Sequence, residues 1–287
     1  MLAFVTSLRH PQNSNDYSQV EALLQSTLAS ISAQTDDDYI VIVVGNRAPS
    51  FALPERVEYV QVAFDAPAPP GNPTSRDDVR RDKGRKLAVG LIAARRHEPD
   101  YAMIFDADDY LHRDLVKFTV DNPGKDGWVV SSGWIYSKRR NSYRRLNRFN
   151  TWCGSCYIVD YDIFGVPSDI GTDATEEELR SGFGERLDGI IATHRGDAWY
   201  REHGYDLEPL PWPGVVYHVD TGENRSRKSL TGMALSMTPQ FAAEFAIPPS
   251  HGRLLTWLHA RGPVPRWQTF RGRHPGIVPW SRARKQS

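Results

Sequence analysis

Cysteine is scarce in this chain, with Cys153 and Cys156 the only two among 287 residues. A small secreted scaffold held together by disulfides needs more, so the count excludes that class and fits a reducing compartment. Long apolar runs are also missing, and none approaches the ~18 residues that a membrane-spanning helix needs. The opening MLAFVTSLRHPQ lacks a basic leader and a cleavage site, and we expect it to form a strand. The sequence therefore predicts a cytoplasmic protein.

An excess of charge of either sign is absent as well. Lys plus Arg and Asp plus Glu balance at 35 each, and no nucleic-acid-binding motif accompanies the basic residues, so we expect no nucleic-acid partner. The distribution is uneven, because no acidic residue follows Glu244 whereas eight basic residues lie from Arg253 onward, interleaved with aromatics. This segment is expected to contact the inner face of a membrane peripherally, or else to pack on the domain or remain partly disordered.

Short apolar segments alternate with helical patterns over the first ~105 residues. A helix capped by Asn15 or Asp16 and a second helix around Leu87 separate predicted strands. This order predicts an α/β fold with a mainly parallel central sheet, in which ligands lie beyond the carboxyl ends of the strands. The predicted strands are LAFVTSL at 2–8, YIVIVVG at 39–45, VEYVQVAF at 57–64 and YAMIF at 101–105.

Three carboxylates follow the strand YAMIF directly, at Asp106, Asp108 and Asp109. In an extended backbone Asp106 and Asp108 point to the same side, and two carboxylates about 4 Å apart repel by roughly 4 kcal/mol at an effective dielectric near 20. A divalent cation with oxygen ligands would offset this repulsion. Alternatively, the aspartates cap a helix that begins near Leu111 and lie in solvent. Both interpretations remain open on spacing alone.

The stretch FDADDY, residues 105–110, resembles the DxD motif of GT-A fold glycosyltransferases, and the N-terminal half is similar to their family 2 type. The resemblance implies a GT-A-like domain over 1–245 with a basic C-terminal extension over 246–287. Its nucleotide-binding half would be 1–110 and its acceptor-binding half 111–245. The implied activity is transfer of a hexose from a nucleoside diphosphate sugar, UDP- or GDP-linked, to a saccharide or glycolipid hydroxyl in polysaccharide synthesis.

The same resemblance implies site residues. Asp106 and Asp108 would bind Mn²⁺ or Mg²⁺ together with His218, which follows a predicted strand in VVYHVD, although a lone histidine is also common in a protein core. Arg225 and Arg227 would add phosphate contacts. A solvated helix turn or an ordinary polar loop explains several of the remaining residues equally well. The implied nucleotide-sugar-binding residues are Thr6, Ser7, Arg9, Asn46, Asp82, Lys83, Lys86, Asp106, Ala107, Asp108, Gly154, Ser155, Asn224 and Ser226.

Transfer with inversion needs a carboxylate that takes the acceptor proton. The sequence offers Asp188 as the first candidate, and Glu185, three residues earlier, would share its face on a helix. His194 is a further candidate. The family places an acidic residue at a helix start in this region, often as an ED pair, and this sequence departs from that pattern. Ordinary surface acids are the alternative, and a retaining mechanism, which needs no such base, also remains open.

The stretch 127–150 predicts a basic, aromatic hairpin that builds the acceptor side. The CxxC spacing of Cys153 and Cys156 lacks the second cysteine pair of a zinc site, so we expect a tight turn at Gly154 and Ser155 near the donor sugar. Some of the aromatic residues would stack on sugar faces and the others would lie in the core. These residues are Trp128, Trp134, Tyr136, Tyr143 and Trp152.

Two other functions fit the same pattern of acidic residues at a strand end. A nucleotidyltransferase acting on a sugar phosphate would also hold a metal there, but it would need a Gly-rich phosphate loop after the first strand, and TSLRHPQNSND contains none. A non-catalytic nucleotide-sugar-binding module would bind the donor without turnover. Donor binding combined with measured transfer distinguishes the three.

Overall fold

In a computed structural model of the chain, residues 1–69, 74–193, 196–223 and 228–248 are described. His194, the stretch 224–227 and the segment from 249 onward lie outside these ranges, so the predictions for Asn224, Arg225, Ser226, Arg227 and the basic extension are not addressed. The predicted boundaries at 110 and 245 remain predictions. None of the described helices has the length and apolar character to cross a membrane.

Twelve strands and six α-helices occur within the described ranges. The strands are β1 (Leu2–Ser7), β2 (Tyr39–Gly45), β3 (Val57–Gln61), β4 (Tyr101–Ile104), β5 (Tyr110–Leu111), β6 (Gly127–Val129), β7 (Ser132–Ser137), β8 (Ser142–Asn147), β9 (Tyr157–Asp160), β10 (Glu208–Pro209), β11 (Val215–Val219) and β12 (Leu235–Ser236). The helices are α1 (Tyr17–Ile31), α2 (Arg76–Ala94), α3 (Leu115–Asp121), α4 (Glu176–Phe183), α5 (Asp197–Glu202) and α6 (Pro239–Glu244).

The first sheet of the described chain has seven strands in the order β10-β6-β9-β4-β1-β2-β3. Strands β4, β1, β2 and β3 run parallel, whereas β9 is antiparallel to both β4 and β6. The predicted α/β class with a mainly parallel central sheet is therefore confirmed. Strand β2 is buried along its whole length, as its unbroken apolar run YIVIVVG predicts. The strand predicted over 57–64 is shorter, because β3 ends at Gln61.

Two helices pack on this sheet, and their starts follow from capping residues. Asp16 caps α1 by accepting hydrogen bonds from the backbone N–H groups of Ser18 and Gln19. Ser75 and Asp78 form a reciprocal capping box at the start of α2. Gly90 brings α2 close to the sheet, since a Cβ there would lie 2.5 Å from Cγ1 of Val5.

The second described sheet has the order β12-β8-β7-β11-β5. Strand β11 runs parallel to β7 and antiparallel to β5, and the basic hairpin predicted over 127–150 is formed by β7 and β8. Because β4 belongs to the first sheet and β5 to the second, the short loop that joins them lies where the two sheets meet. This loop, residues 105–109, carries all three aspartates.

Candidate active site

The loop that carries the aspartates is fixed by the end of β1. Phe105 donates its backbone N–H to the carbonyl of Val5 at 3.0 Å and accepts a hydrogen bond from the Thr6 hydroxyl at 2.8 Å. The next helix, α3, begins only at Leu115. The aspartates therefore do not cap a helix near Leu111, and the capping interpretation is wrong.

Asp109 is the anchor of the loop and is fully buried. Its carboxylate accepts hydrogen bonds from the Ser155 hydroxyl at 2.6 Å, the Cys153 thiol at 2.9 Å and the backbone N–H of His218 at 3.2 Å. Burial raises the pKa of Asp109 well above its usual value, and the charges of Asp108 and Asp106 add to this. The sequence analysis missed Asp109 and Cys153 as site residues, because only folding brings them together from 44 positions apart.

Asp106 and Asp108 lie on the open side of this anchor. Asp106 is paired with the ammonium of Lys83, and its side chain is 30% exposed. Gly154 allows this arrangement, because a Cβ at that position would lie 2.6 Å from Oδ2 of Asp106. Burial, followed by the charge of Asp106, raises the pKa of Asp108 to about 7, while Lys83 and Arg9 act in the opposite direction. The two carboxylates thus disfavour each other's ionisation.

The chemistry of these side chains fits a divalent cation. One oxygen each from Asp106 and Asp109 and the sulfur of Cys153 lie within 4.8 Å of one another. The Asp109 carboxylate already accepts three hydrogen bonds. Within the described residues this group of ligand atoms does not include Asp108, so metal binding by Asp106 and Asp108 together stays a prediction. Oxygen ligands from carboxylates suit Mg²⁺ and Mn²⁺, and a bound cation would relieve the repulsion between the two carboxylates.

His218 lies beside this cluster, in the second sheet. Its ring packs beside those of Tyr110 and Tyr136, with centroid separations of 5.5 and 5.2 Å, and 3% of the residue is exposed. Burial lowers the pKa of His218 to about 4, so the imidazole is neutral at pH 7. Within the described residues the group of ligand atoms around Asp106 does not include His218. Metal binding by His218 stays a prediction.

Two of the predicted nucleotide-binding residues on α2, Asp82 and Lys86, form hydrogen bonds within the protein. The fully buried Lys86 donates to the carboxylate of Asp82 at 2.7 Å and to the carbonyl of Leu8 at 3.0 Å. Asp82 also accepts a hydrogen bond from Arg85 at 2.9 Å. This network joins α2 to the end of β1, whereas Lys83, on the same helix, reaches Asp106.

Other predicted residues line the strand ends. Asn46 donates to the carbonyls of Val62 and Phe64 at 3.2 and 2.8 Å and so holds the chain that leaves β3. Ser7 ends β1, and the carbonyl of Ala107 accepts a hydrogen bond from Thr27 at 3.0 Å. These contacts hold the chain near the strand ends, and a role of these residues in nucleotide binding stays a prediction.

Arg9 and Glu223 close one side of the site. Arg9 donates to the carboxylate and to the carbonyl of Glu223, both at 2.6 Å, and Glu223 also accepts the backbone N–H of Asp16 at 2.8 Å. Glu223 is only 7% exposed, and the sequence analysis did not single it out. The pair joins the loop after β1 to the segment after β11.

The two predicted base candidates lie on the protein surface. Asp188 is hydrogen-bonded to Arg80 and Arg180 at 3.1 and 3.2 Å, and its side chain is 56% exposed. Glu185 contacts His203 at 2.8 Å. Both therefore have partners other than the aspartate cluster, and their role as base stays a prediction.

Asp197 is a further carboxylate, and it is partly buried. It is the first residue of α5, and its Oδ2 accepts a hydrogen bond from Asn150 at 2.9 Å. Burial raises the pKa of Cys156, and the charges of Asp197 and Asp106 raise it further. Asp197 was not among the predicted site residues. The pair Gly196-Asp197, directly before the helical stretch AWYRE, could have indicated an acidic residue at a helix start.

The aromatic residues divide between core and site. Lys228 lies 4.8 Å from the ring centroid of Trp152 and 5.4 Å from that of Tyr217, and it donates to the Trp152 carbonyl at 2.9 Å. Trp152 is partly exposed and packs against the core, and stacking of a sugar on it stays a prediction. The other predicted aromatics lie in or against the core: Trp128, Tyr136 and Tyr143 are buried, and Trp134 packs on Tyr143 and Phe241.

No family model and no curated protein matches the chain. Among solved structures it is similar to a protein from Desulfovibrio desulfuricans assigned provisionally as a nucleotide-diphospho-sugar transferase, at 8% identity and a TM-score of 0.33 over 76% of this chain and 80% of that chain. It is also similar to an active-site mutant of LgtC, at 13% identity and a TM-score of 0.29 over 91% and 83% of the two chains. The galactosyltransferase LgtC with donor and acceptor sugar analogues matches at 13% identity and a TM-score of 0.28 over 92% and 84%.

Proposed function

We propose that this chain is a metal-dependent glycosyltransferase that moves a hexose from a nucleoside diphosphate sugar to a hydroxyl acceptor. The observation that carries the proposal is the crowding of Asp106, Asp108 and Asp109 at the carboxyl end of β4. Carboxylates this close raise one another's pKa unless a cation neutralises them. In α/β sheets the carboxyl ends of the strands are also where ligands bind.

Asp106 and Asp108 would hold the cation, Mn²⁺ or Mg²⁺, in the manner of a DxD motif of the family 2 type. The ion supplies positive charge to the diphosphate that leaves the sugar. Lys83 adds a second positive charge on the same side, since its ammonium already contacts Asp106. Asp109 keeps the loop in place through Ser155 and Cys153.

We place the general base of an inverting reaction at Asp197, ahead of Asp188 and Glu185. Asp197 is the first residue of α5, and Asn150 orients its carboxylate. Asp188 is held instead by two arginines. In this role Asp197 accepts the proton of the acceptor hydroxyl, and the face of Trp152 supports a sugar ring. The acceptor would be a saccharide or a glycolipid of polysaccharide synthesis.

A thermal-shift screen tests the donor site. UDP, GDP, dTDP and CDP are each added with Mn²⁺, Mg²⁺ or EDTA to wild type, to Asp108→Asn and to the control Asp121→Asn, whose side chain is 54% exposed at the end of α3. A ligand at 100 times its Kd adds about 2.7 kcal/mol, a rise of roughly 5 °C in Tm for a chain of this size. We expect such a rise with at least one diphosphate, dependent on metal and lost only in Asp108→Asn. No metal-dependent rise with any diphosphate contradicts the proposal.

A further inference from the structure

The positively charged side chains of the β7–β8 hairpin are not part of the candidate active site described above. From Gly127 to Val159 the chain contains six Lys or Arg residues and no Asp or Glu. Most of them lie on β7, β8 and the turn between them. We call this region the basic hairpin, and its charged residues are Lys138, Arg139, Arg140, Arg144 and Arg145.

Three of these side chains are exposed and pair with no carboxylate of the described residues. Lys138, Arg139 and Arg145 are exposed, and none of them forms an ion pair with a carboxylate in the part of the chain that the structure describes. Arg145 donates only to the hydroxyl of Ser132, at 3.1 Å. A hydroxyl is neutral, so the positive charge of the arginine is not compensated by it.

The other two arginines hold the next segment of backbone. Arg140 donates to the carbonyls of Leu230 and Gly232 at 2.6 and 2.8 Å, and Arg144 donates to that of Thr231 at 3.0 Å. Burial lowers the pKa of Arg140; the charge of Asp220 opposes this, and Arg144 and Arg139 lower it further. The positive charges of the hairpin are therefore close enough to repel one another.

The turn of the hairpin lies beside the candidate active site. Strand β7 pairs with β11, so Tyr136 is next to His218 and Ser137 is next to Val219. One strand spacing, about 4.8 Å, separates the two strands. His218 in turn donates its backbone N–H to Asp109. The site thus has carboxylates on one side of β11 and the basic hairpin on the other.

We propose that the basic hairpin binds a phosphate ester on the acceptor, so that the substrate class is an anionic rather than a neutral acceptor. This inference rests on the proposed function. Guanidinium groups bind phosphate through paired hydrogen bonds, and a cluster of like charges is stabilised when an anion binds between them. The donor diphosphate is served by Lys83 and the cation at Asp106 and Asp108, which leaves the hairpin charges for the acceptor. The phosphate has two possible sources, a soluble sugar phosphate and a phospholipid headgroup.

Two matched variants test the proposal. The hairpin variant carries Lys138→Gln, Arg139→Gln and Arg145→Gln. The control variant loses the same charge outside the hairpin, through the exposed residues Arg113, Lys117 and Lys125, each replaced by Gln. The first arm measures binding of glucose 6-phosphate and of glucose by calorimetry in EDTA. The second arm measures co-sedimentation with phosphatidylcholine vesicles with and without phosphatidylglycerol.

We expect wild type and control variant to bind one phosphate probe and the hairpin variant to bind it about tenfold more weakly, since exposed ion pairs contribute modestly each. If the hairpin variant binds glucose 6-phosphate more weakly than the control variant does, the ligand is a soluble sugar phosphate. If it binds the anionic vesicles more weakly, the ligand is a phospholipid headgroup. Equal binding by the two variants in both arms overturns the proposal. The diphosphate screen separates phosphate binding by the hairpin from the proposed transferase function. We expect the hairpin variant to keep the metal-dependent rise in Tm. If no protein shows this rise, the result counts against the transferase function alone.

Discussion

Replacing Asp108 by Asn should stabilise the metal-free protein above neutral pH. Burial and the charge of Asp106 raise the pKa of Asp108 to about 7 in the folded chain, against 3.8 when unfolded. The folded state then binds the proton more tightly than the unfolded state, so the free energy of unfolding falls as pH rises from about 4 to about 7. Asparagine carries no charge at any of these pH values, so the free energy of unfolding of the variant does not fall through this residue.

The size of the effect follows from the shift in pKa. A rise of about three units corresponds to roughly 4 kcal/mol, at 1.36 kcal/mol for each unit. Asp108 is only partly buried, which screens the repulsion. We therefore expect the variant to gain about 1–2 kcal/mol over wild type at pH 8 and close to nothing at pH 4.

Urea denaturation in EDTA at pH 4, 6 and 8 measures this difference, with Asp121→Asn as the exposed control. Adding Mn²⁺ at pH 8 should stabilise wild type and the control but not Asp108→Asn, because the variant lacks a ligand. If wild type and Asp108→Asn lose stability in parallel between pH 4 and 8, the carboxylates do not repel one another as the structure indicates.

Three further substitutions probe the same loop. Gly154→Ala should weaken Mn²⁺ binding by about 10–100-fold, because the new Cβ displaces the Asp106 carboxylate; Mn²⁺ titration that gives wild-type affinity would refute this. Ser155→Ala should lower the free energy of unfolding by about 1–3 kcal/mol, since Asp109 loses a buried donor; denaturation curves that overlay wild type would contradict it. Asp197→Asn should reduce kcat by roughly 10²- to 10⁴-fold with Tm unchanged, and full turnover would exclude it as the base.

Local features of the fold were predictable from the sequence because neighbouring residues determine them. YIVIVVG predicts the bounds of β2, and Asp16 predicts the start of α1. The end of β3 was not predictable from its own pattern, because it depends on where β2 ends: the N–H of Val62 still pairs with the carbonyl of Gly45, and Gly45 is the last residue of β2. Pattern alone does not show where a strand loses its partner.

The candidate site was predictable in its position but not in its partners. Asp106 and Asp108 follow a buried strand, which indicates the carboxyl edge of the sheet. Lys86 looks like a phosphate ligand in sequence, but its ammonium binds Asp82 inside the protein. The pairing of Arg9 with Glu223 spans 214 positions and arises only from the tertiary fold. Charge patterns locate a site, whereas burial decides which charges remain available to a ligand.

Release of nucleoside diphosphate from sugar donors tests the central claim most directly. UDP-, GDP-, dTDP- and CDP-linked hexoses are incubated with wild type, Asp108→Asn and Asp121→Asn, with Mn²⁺ or EDTA, with and without sugar phosphates as acceptors. The account predicts release from at least one donor by wild type and Asp121→Asn, abolished by EDTA and by Asp108→Asn. Release that continues in EDTA or in Asp108→Asn, or no release from any donor, would contradict a metal-dependent glycosyltransferase at this loop.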